Sequence, residues 1–101
     1  MHDLMDRSVD EEEVRAIRKT LIGTSRVKNV HDVRTRKMGD MIVVDAHIEV
    51  DASISVEAGR DIAVDARQRM LQRRVLNLMT HVDPWRRPDL DHPEPMAVAG
   101  P

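Results

Sequence analysis

Cysteine is absent from this chain, which excludes disulfides, thiolate metal sites and thiol catalysis. Any bound metal would have to be held by His, Asp and Glu. Phenylalanine and tyrosine are absent as well, and Trp85 is the single large aromatic, so there is no stacking platform for single-stranded nucleic acid. Charge of one sign is not in excess: 16 basic residues face 18 acidic ones for a net charge of -2, without the basic surplus of a nucleic-acid binder. No run approaches the ~20 apolar residues of a membrane span. The N-terminus has no apolar h-region, so no signal peptide is expected. As a whole protein the chain would be soluble; as a piece of a membrane protein it would have left the membrane part behind.

What remains is 101 residues, 34% charged and 41% hydrophobic, the size and mixture of one small domain. Such a core is modest, and pairing with a second copy is a natural way to bury more surface. Ser8-Val9-Asp10-Glu11 reads as a capping box. Asp10 to Glu13 put negative charge in the first helical turn. Val14, Ile17, Leu21 and Ile22 recur at helical spacing, and Gly23 suits a C-terminal stop. A first helix is expected over 9–22.

Val27 to Lys37 reads as a less regular strand, with a turn or bulge at Lys28-Asn29-Val30. Simple alternation groups His31 with Val33 and Thr35, and sets Asp32, Arg34 and Arg36 on the other face. Met38-Gly39-Asp40 signals a hairpin. The second strand, Met41 to Val50, alternates well: Ile42, Val44, Ala46, Ile48 and Val50 point to a core, and Asp45, His47 and Glu49 point away. Ser55 is a candidate N-cap for a second helix over 56–72, with Ile62, Ala63, Ala66 and Met70 as its buried stripe. Val75 to Val82 reads as a third strand ended by Pro84. Leu76, Leu78 and Val82 share one face, and Asn77, Met79, His81 and Asp83 the other. After Pro84 the pattern dissolves into a Pro-rich segment, 85–101, expected to be a disordered tail.

The order αββαβ makes an α+β domain of two layers, a three-stranded mixed sheet with both helices on one face. The other face is left open. It carries Asp45, His47, Glu49, His81 and Asp83, and an open face rich in potential ligands suggests pairing with another copy. Neutral imidazole with carboxylate suits Zn²⁺ or another borderline divalent cation, so His31, His47, His81 and Asp83 form the candidate metal set. Asp45 and Glu49 flank His47, where they could orient a ring. The competing reading is that these are ordinary solvated residues of an exposed strand face. Arg34, Arg36 and Lys37 read as a solvated edge that discourages aggregation, and Trp85 as packing over the end of the sheet. His2 and His92 are read as bystanders in terminal segments. No Ser/His/Asp order, phosphate loop or buried acid pair is present to build an enzyme.

Four segments then carry a family resemblance: Leu4-Met5-Asp6-Arg7-Ser8, Val30-His31-Asp32-Val33-Arg34-Thr35-Arg36 with Gly39, His47-Ile48-Glu49-Val50, and His81-Val82-Asp83-Pro84. In this order and at these separations they resemble the C-terminal domain of cation diffusion facilitator transporters, over roughly residues 3–84. The resemblance implies a metallochaperone-like (ferredoxin-like, open-faced) fold and a cytoplasmic domain attached to a transmembrane exporter of Zn²⁺ or related divalent cations. It implies a V-shaped homodimer that metal draws closed. It also implies that residues 1–8 are the end of a linker from the membrane domain, that 9–84 are the domain itself, and that the chain alone transports nothing. His31, His47, His81 and Asp83 match the family's cytosolic ligands. Where the family commonly places a His near the start of the second helix, this chain has Glu57-Ala58-Gly59-Arg60. One site per protomer is expected from His47, His81 and Asp83, with His31 nearby and the second site weakened. A structural dimerisation module that no longer senses metal is the alternative. A soluble metal chaperone fits less well, since no thiolates are present to hand metal over.

Overall fold

The computed structural model describes residues 9–88. The expected capping Ser8, the linker and most of the expected tail lie outside the described residues. The elements run α1 (Glu11–Ile22), β1 (Val27–Met38), β2 (Met41–Asp51), α2 (Val56–Leu71) and β3 (Val75–Trp85). The strands form one sheet in the order β1-β2-β3, with β1 antiparallel and β3 parallel to β2. The expected αββαβ mixed sheet with two helices is what is found.

Five residues of β2 make the centre of the core. Ile42, Val44, Ala46, Ile48 and Val50 are all buried, as their alternation predicts. Ile17 and Leu21 of α1 and Ile62, Ala66 and Met70 of α2 pack into the same cluster, so both helices lie on one face of the sheet. Helix α2 opens as its sequence predicts, with the Ser55 hydroxyl accepting from the Ala58 amide at 3.0 Å. Helix α1 begins two residues later than expected. Its N-cap is Asp10, whose side chain caps nothing, while the Asp10 carbonyl accepts from the Val14 amide at 3.0 Å. Glu11, Glu12 and Glu13 still occupy the first turn, where the helix dipole favours them.

Extra residues shift the register at Lys28, at Asp32 and at Leu76, and the last two change which side chains share a face. In β1, His31 pairs with His47 but Arg34 pairs with Asp45, so one extra residue is inserted between them. Asp32 carries the bulge in the left-handed region, at φ 55°, where Asp and Asn are tolerated better than most side chains. The phase of the strand changes there. His31 and Arg34 share the open face, while Thr35 is buried and Val33 packs against the core, which corrects the grouping of His31 with Val33 and Thr35. In β3, Leu76 is the extra residue between the pairs Ile42–Val75 and Val43–Asn77. Val75 takes the core position and Leu76 is 50% exposed, the reverse of the expected parity.

Finally, Pro84 does not end β3. It pairs in register with Val50, Trp85 pairs with Asp51, and the Trp85 carbonyl accepts from the Ala52 amide at 2.9 Å. Because β3 is an edge strand, a proline there need not break a ladder bond. Trp85 closes the end of the sheet, with the Lys28 ammonium 5.2 Å from its ring centroid.

The hairpin between β1 and β2 is a two-residue turn, Gly39-Asp40, inside the Met38–Met41 pair. Gly39 sits at φ 62°, which glycine adopts without steric cost.

Candidate metal centre

The register places three histidines side by side. His31 of β1 pairs with His47 of β2, and His47 pairs with His81 of β3, so one row across the sheet is entirely histidine. Paired residues on one face stand about one strand spacing apart, ~4.8 Å. The rings follow that spacing: His31 and His47 stack at 5.1 Å and 22°, His47 and His81 at 4.4 Å and 15°. The next row towards the Trp85 end is Asn29, Glu49 and Asp83. The row on the other side is Arg34, Asp45 and Met79. Among the described residues, no element covers this face.

Asp83 closes diagonally onto the histidine row. Its Oδ2 lies 2.9 Å from His47 Nδ1 and 3.4 Å from His31 Nε2. Glu49 Oε2 lies 3.3 Å from the same His31 nitrogen. One ligand atom each from His31, His47 and Asp83 falls within 4.8 Å of the others. His81 faces the other way: its Nε2 is 3.1 Å from Asp45 Oδ1. The structure therefore brings His31, His47 and Asp83 together, and leaves His81 stacked on His47 but joined to Asp45.

These distances can be set against what a cation needs. A tetrahedral zinc with ligands at 2.0–2.1 Å separates them by about 3.3 Å. The two contacts made by Asp83, at 2.9 and 3.4 Å, bracket that value. All three ligand atoms lie within 4.8 Å of one another, so the widest separation would have to narrow for one ion to be held by all three. Two neutral imidazoles and a carboxylate are also a donor set that borderline divalent cations accept.

The bulge brings His31 onto the face that simple alternation assigns to Arg34 and Asp32. At the bulge the Asp32 carboxylate lies towards this open face, where Oδ2 lies 3.9 Å from His47 Nε2 and Oδ1 lies 3.6 Å from Arg34 Nη2. The only signal in the sequence is the residue type, since Asp tolerates the left-handed region better than most.

Gly59 is buried under β3. A Cβ there would stand 3.7 Å from Val82 Cγ1 and 4.0 Å from Ile54 Cδ1, ordinary contact distances, so no clash dictates glycine. Gly59 lines a groove of about 480 Å³ that runs over Val82 to Asp83 at the sheet edge.

Comparison with known proteins agrees with this fold. The family model described as the cytoplasmic domain of cation efflux proteins matches residues 9–85. The cation-efflux pump FieF of Pectobacterium carotovorum subsp. carotovorum (strain PC1) is 28% identical over 85 residues, which are 83% of this chain and 28% of the pump. The chain thus spans little more than a quarter of that relative's length. Among solved structures, the cytosolic domain of a cation diffusion facilitator family protein superposes with a TM-score of 0.66 at 32% identity, covering 72% of this chain and 89% of that one. The metal-bound C-terminal domain of the CzcD transporter from Thermotoga maritima gives 0.67 at 29% identity, covering 79% and 94%. With a match from the start of the first helix to the end of the last strand, this chain belongs to the family of cation efflux protein cytoplasmic domains.

Proposed function

We propose that the chain is the regulatory and dimerisation domain of a divalent-cation efflux transporter of the Zn²⁺ type. It would sit on the cytoplasmic side of the membrane, attached to a transmembrane domain, as a homodimer that binds metal through His31, His47, His81 and Asp83. The observation that carries this reading is the convergence of His31, His47 and Asp83 within 4.8 Å on the open sheet face. His81, one strand spacing from His47 in the same row, supplies the fourth position when it turns from Asp45. Support also comes from the CzcD domain, whose structure is described as metal-bound.

The regulatory step follows from charge. Asp45, Glu49 and Asp83 lie on the open face, and two copies facing each other there repel. A divalent cation offsets that repulsion, and it favours the closed dimer only insofar as the closed form binds it more tightly. His and Asp must give up their protons to the ion, so acidification opposes binding.

Calorimetric titration of the 101-residue chain with Zn²⁺ tests the site. His47→Ala and Asp83→Ala each remove a group from the centre of the cluster, and each should weaken binding by at least about tenfold. Binding equal to wild type in both variants would refute the site. Gly59, which offers no ligand, motivates a second reading: a dimerisation module that no longer senses metal. That reading predicts the same dimer shape with and without Zn²⁺.

A further inference from the structure

On the helix side of β3 the cover is uneven. Val75 and Leu78 are buried, but Val82 is 41% exposed although it pairs with the buried Ile48. The reason is small residues on α2: Gly59 and Ala63, one turn apart, stand opposite Val82 and leave the groove of about 480 Å³ that runs along Thr80 to Pro84. Val56 at its rim is 90% exposed. Among the described residues β3 pairs only with β2, so its outer backbone edge is also unpaired along this groove. Proteins usually cover an edge of this kind.

We infer that the occupant of the groove is the chain's own segment Met96-Ala97-Val98-Ala99, returned along β3 by the residues that follow Pro88. This does not depend on the metal-binding reading. The starting point is right: β3 ends at Trp85, and Pro84, Asp51 and Ala52 line the mouth of the groove. The reach is sufficient. Pro93 and Pro95 favour an extended chain, and from Pro88 to Met96 it spans about 25 Å at the polyproline rise. The groove along Thr80–Pro84 is about 13 Å long at the rise of a strand. The charges fall in a matching order. Asp89, Asp91 and Glu94 precede the apolar run, and residues 89–101 contain no Lys or Arg. Lys28, Arg86 and Arg87 line the surface beside Trp85 that this acidic stretch crosses first, and Arg60 lines the groove itself. The acids nearby are engaged elsewhere, Asp51 by Ser53 and Asp83 by His47. Met96 to Ala99 then meet Val56, Gly59, Ala63 and Val82. Tethering gives the segment an effective concentration in the mM range, so a few apolar contacts suffice to hold it. Docked, it covers Val82 and closes the β3 edge to other strands.

The absence of cysteine makes the test direct, because Gly100→Cys gives the full chain a single thiol for a nitroxide spin label. Amide signals of Val56, Gly59, Ala63 and Val82 should broaden and be lost in the labelled chain, while those of the Gly39-Asp40 turn keep their intensity. Adding Met96→Asp and Val98→Asp to the labelled chain should restore the groove signals. Both substitutions lie outside the core, so the fold is not at stake. Groove signals at full intensity in the labelled chain overturn the inference. So does broadening that survives the two Asp substitutions, since tethering alone would then explain it. A mixture of spin-labelled chain with ¹⁵N-labelled chain that carries no spin label should show no broadening at the groove. Broadening there would put a second copy's segment in the groove and overturn the intramolecular strap.

Discussion

The residues of the open face divide into those whose direction was legible and those whose direction was not. His47, Asp45 and Glu49 lie on a regular strand, and alternation alone aims them away from the core. Asp32 and His31 lie on either side of a phase change, and no count of residues reveals where an aspartate will adopt positive φ. Asp51 is a simpler case. Its Oδ1 accepts from the Ser53 amide at 2.9 Å and from the Ser53 hydroxyl at 2.8 Å. The hydrogen bond from the Ser53 amide, then that from its hydroxyl, hold the carboxyl below its ordinary value of 3.8. A depressed folded-state pKa contributes stability that is fully present above 3.8 and is lost as pH falls through the lower folded value. Asp51→Asn keeps an accepting oxygen without the charge. Denaturant melts should show wild type the more stable at neutral pH, and the gap closing at pH below 3.8.

At the scale of elements, β2 and α2 follow their sequences closely, and the edge strands depart from theirs. β2 is paired on both sides and packed by helices on one, so any slip would turn its apolar set to water. β1 and β3 each have one free edge and absorb irregularity there: the bulge at Asp32, the extra residue Leu76 and a proline within the strand. Leu76 and Leu78 make the contrast measurable. Leu78 is buried beside Val44, whereas Leu76 is half exposed at the bulge. Leu78→Ala should destabilise the domain by about 2–5 kcal/mol, and Leu76→Ala should stay within about 0.5 kcal/mol in equilibrium unfolding. Equal costs would mean that β3 alternates regularly from Val75 onward and that the bulge is absent.

For the whole molecule, the question is what covers the open face. A sheet with both helices on one side leaves several carboxylates, among them Asp32, Asp45, Glu49 and Asp83, and the imidazoles of His31, His47 and His81 on the other side or at its edge. On the proposed reading, two copies that approach through such a face are held apart by carboxylate repulsion that a divalent cation lowers. Small-angle X-ray scattering with and without Zn²⁺ should show a more compact dimer with the ion. The change should be absent in Asp83→Ala. An unchanged profile in wild type would favour the purely structural module motivated by Gly59.

The sequence by itself determined the element order, the core stripe of β2, the cap of α2 and the family, because these rest on local periodicity and on short motifs in a fixed order. It also supplied the donor set, since without cysteine only His, Asp and Glu can hold a cation. Only the tertiary structure decided that His31, His47 and His81 form one row, that Asp83 reaches across it to His31 while His81 turns to Asp45, and that Asp32 stands behind His47. Those outcomes depend on the register between strands, and one extra residue at positive φ is enough to change which side chains share a face.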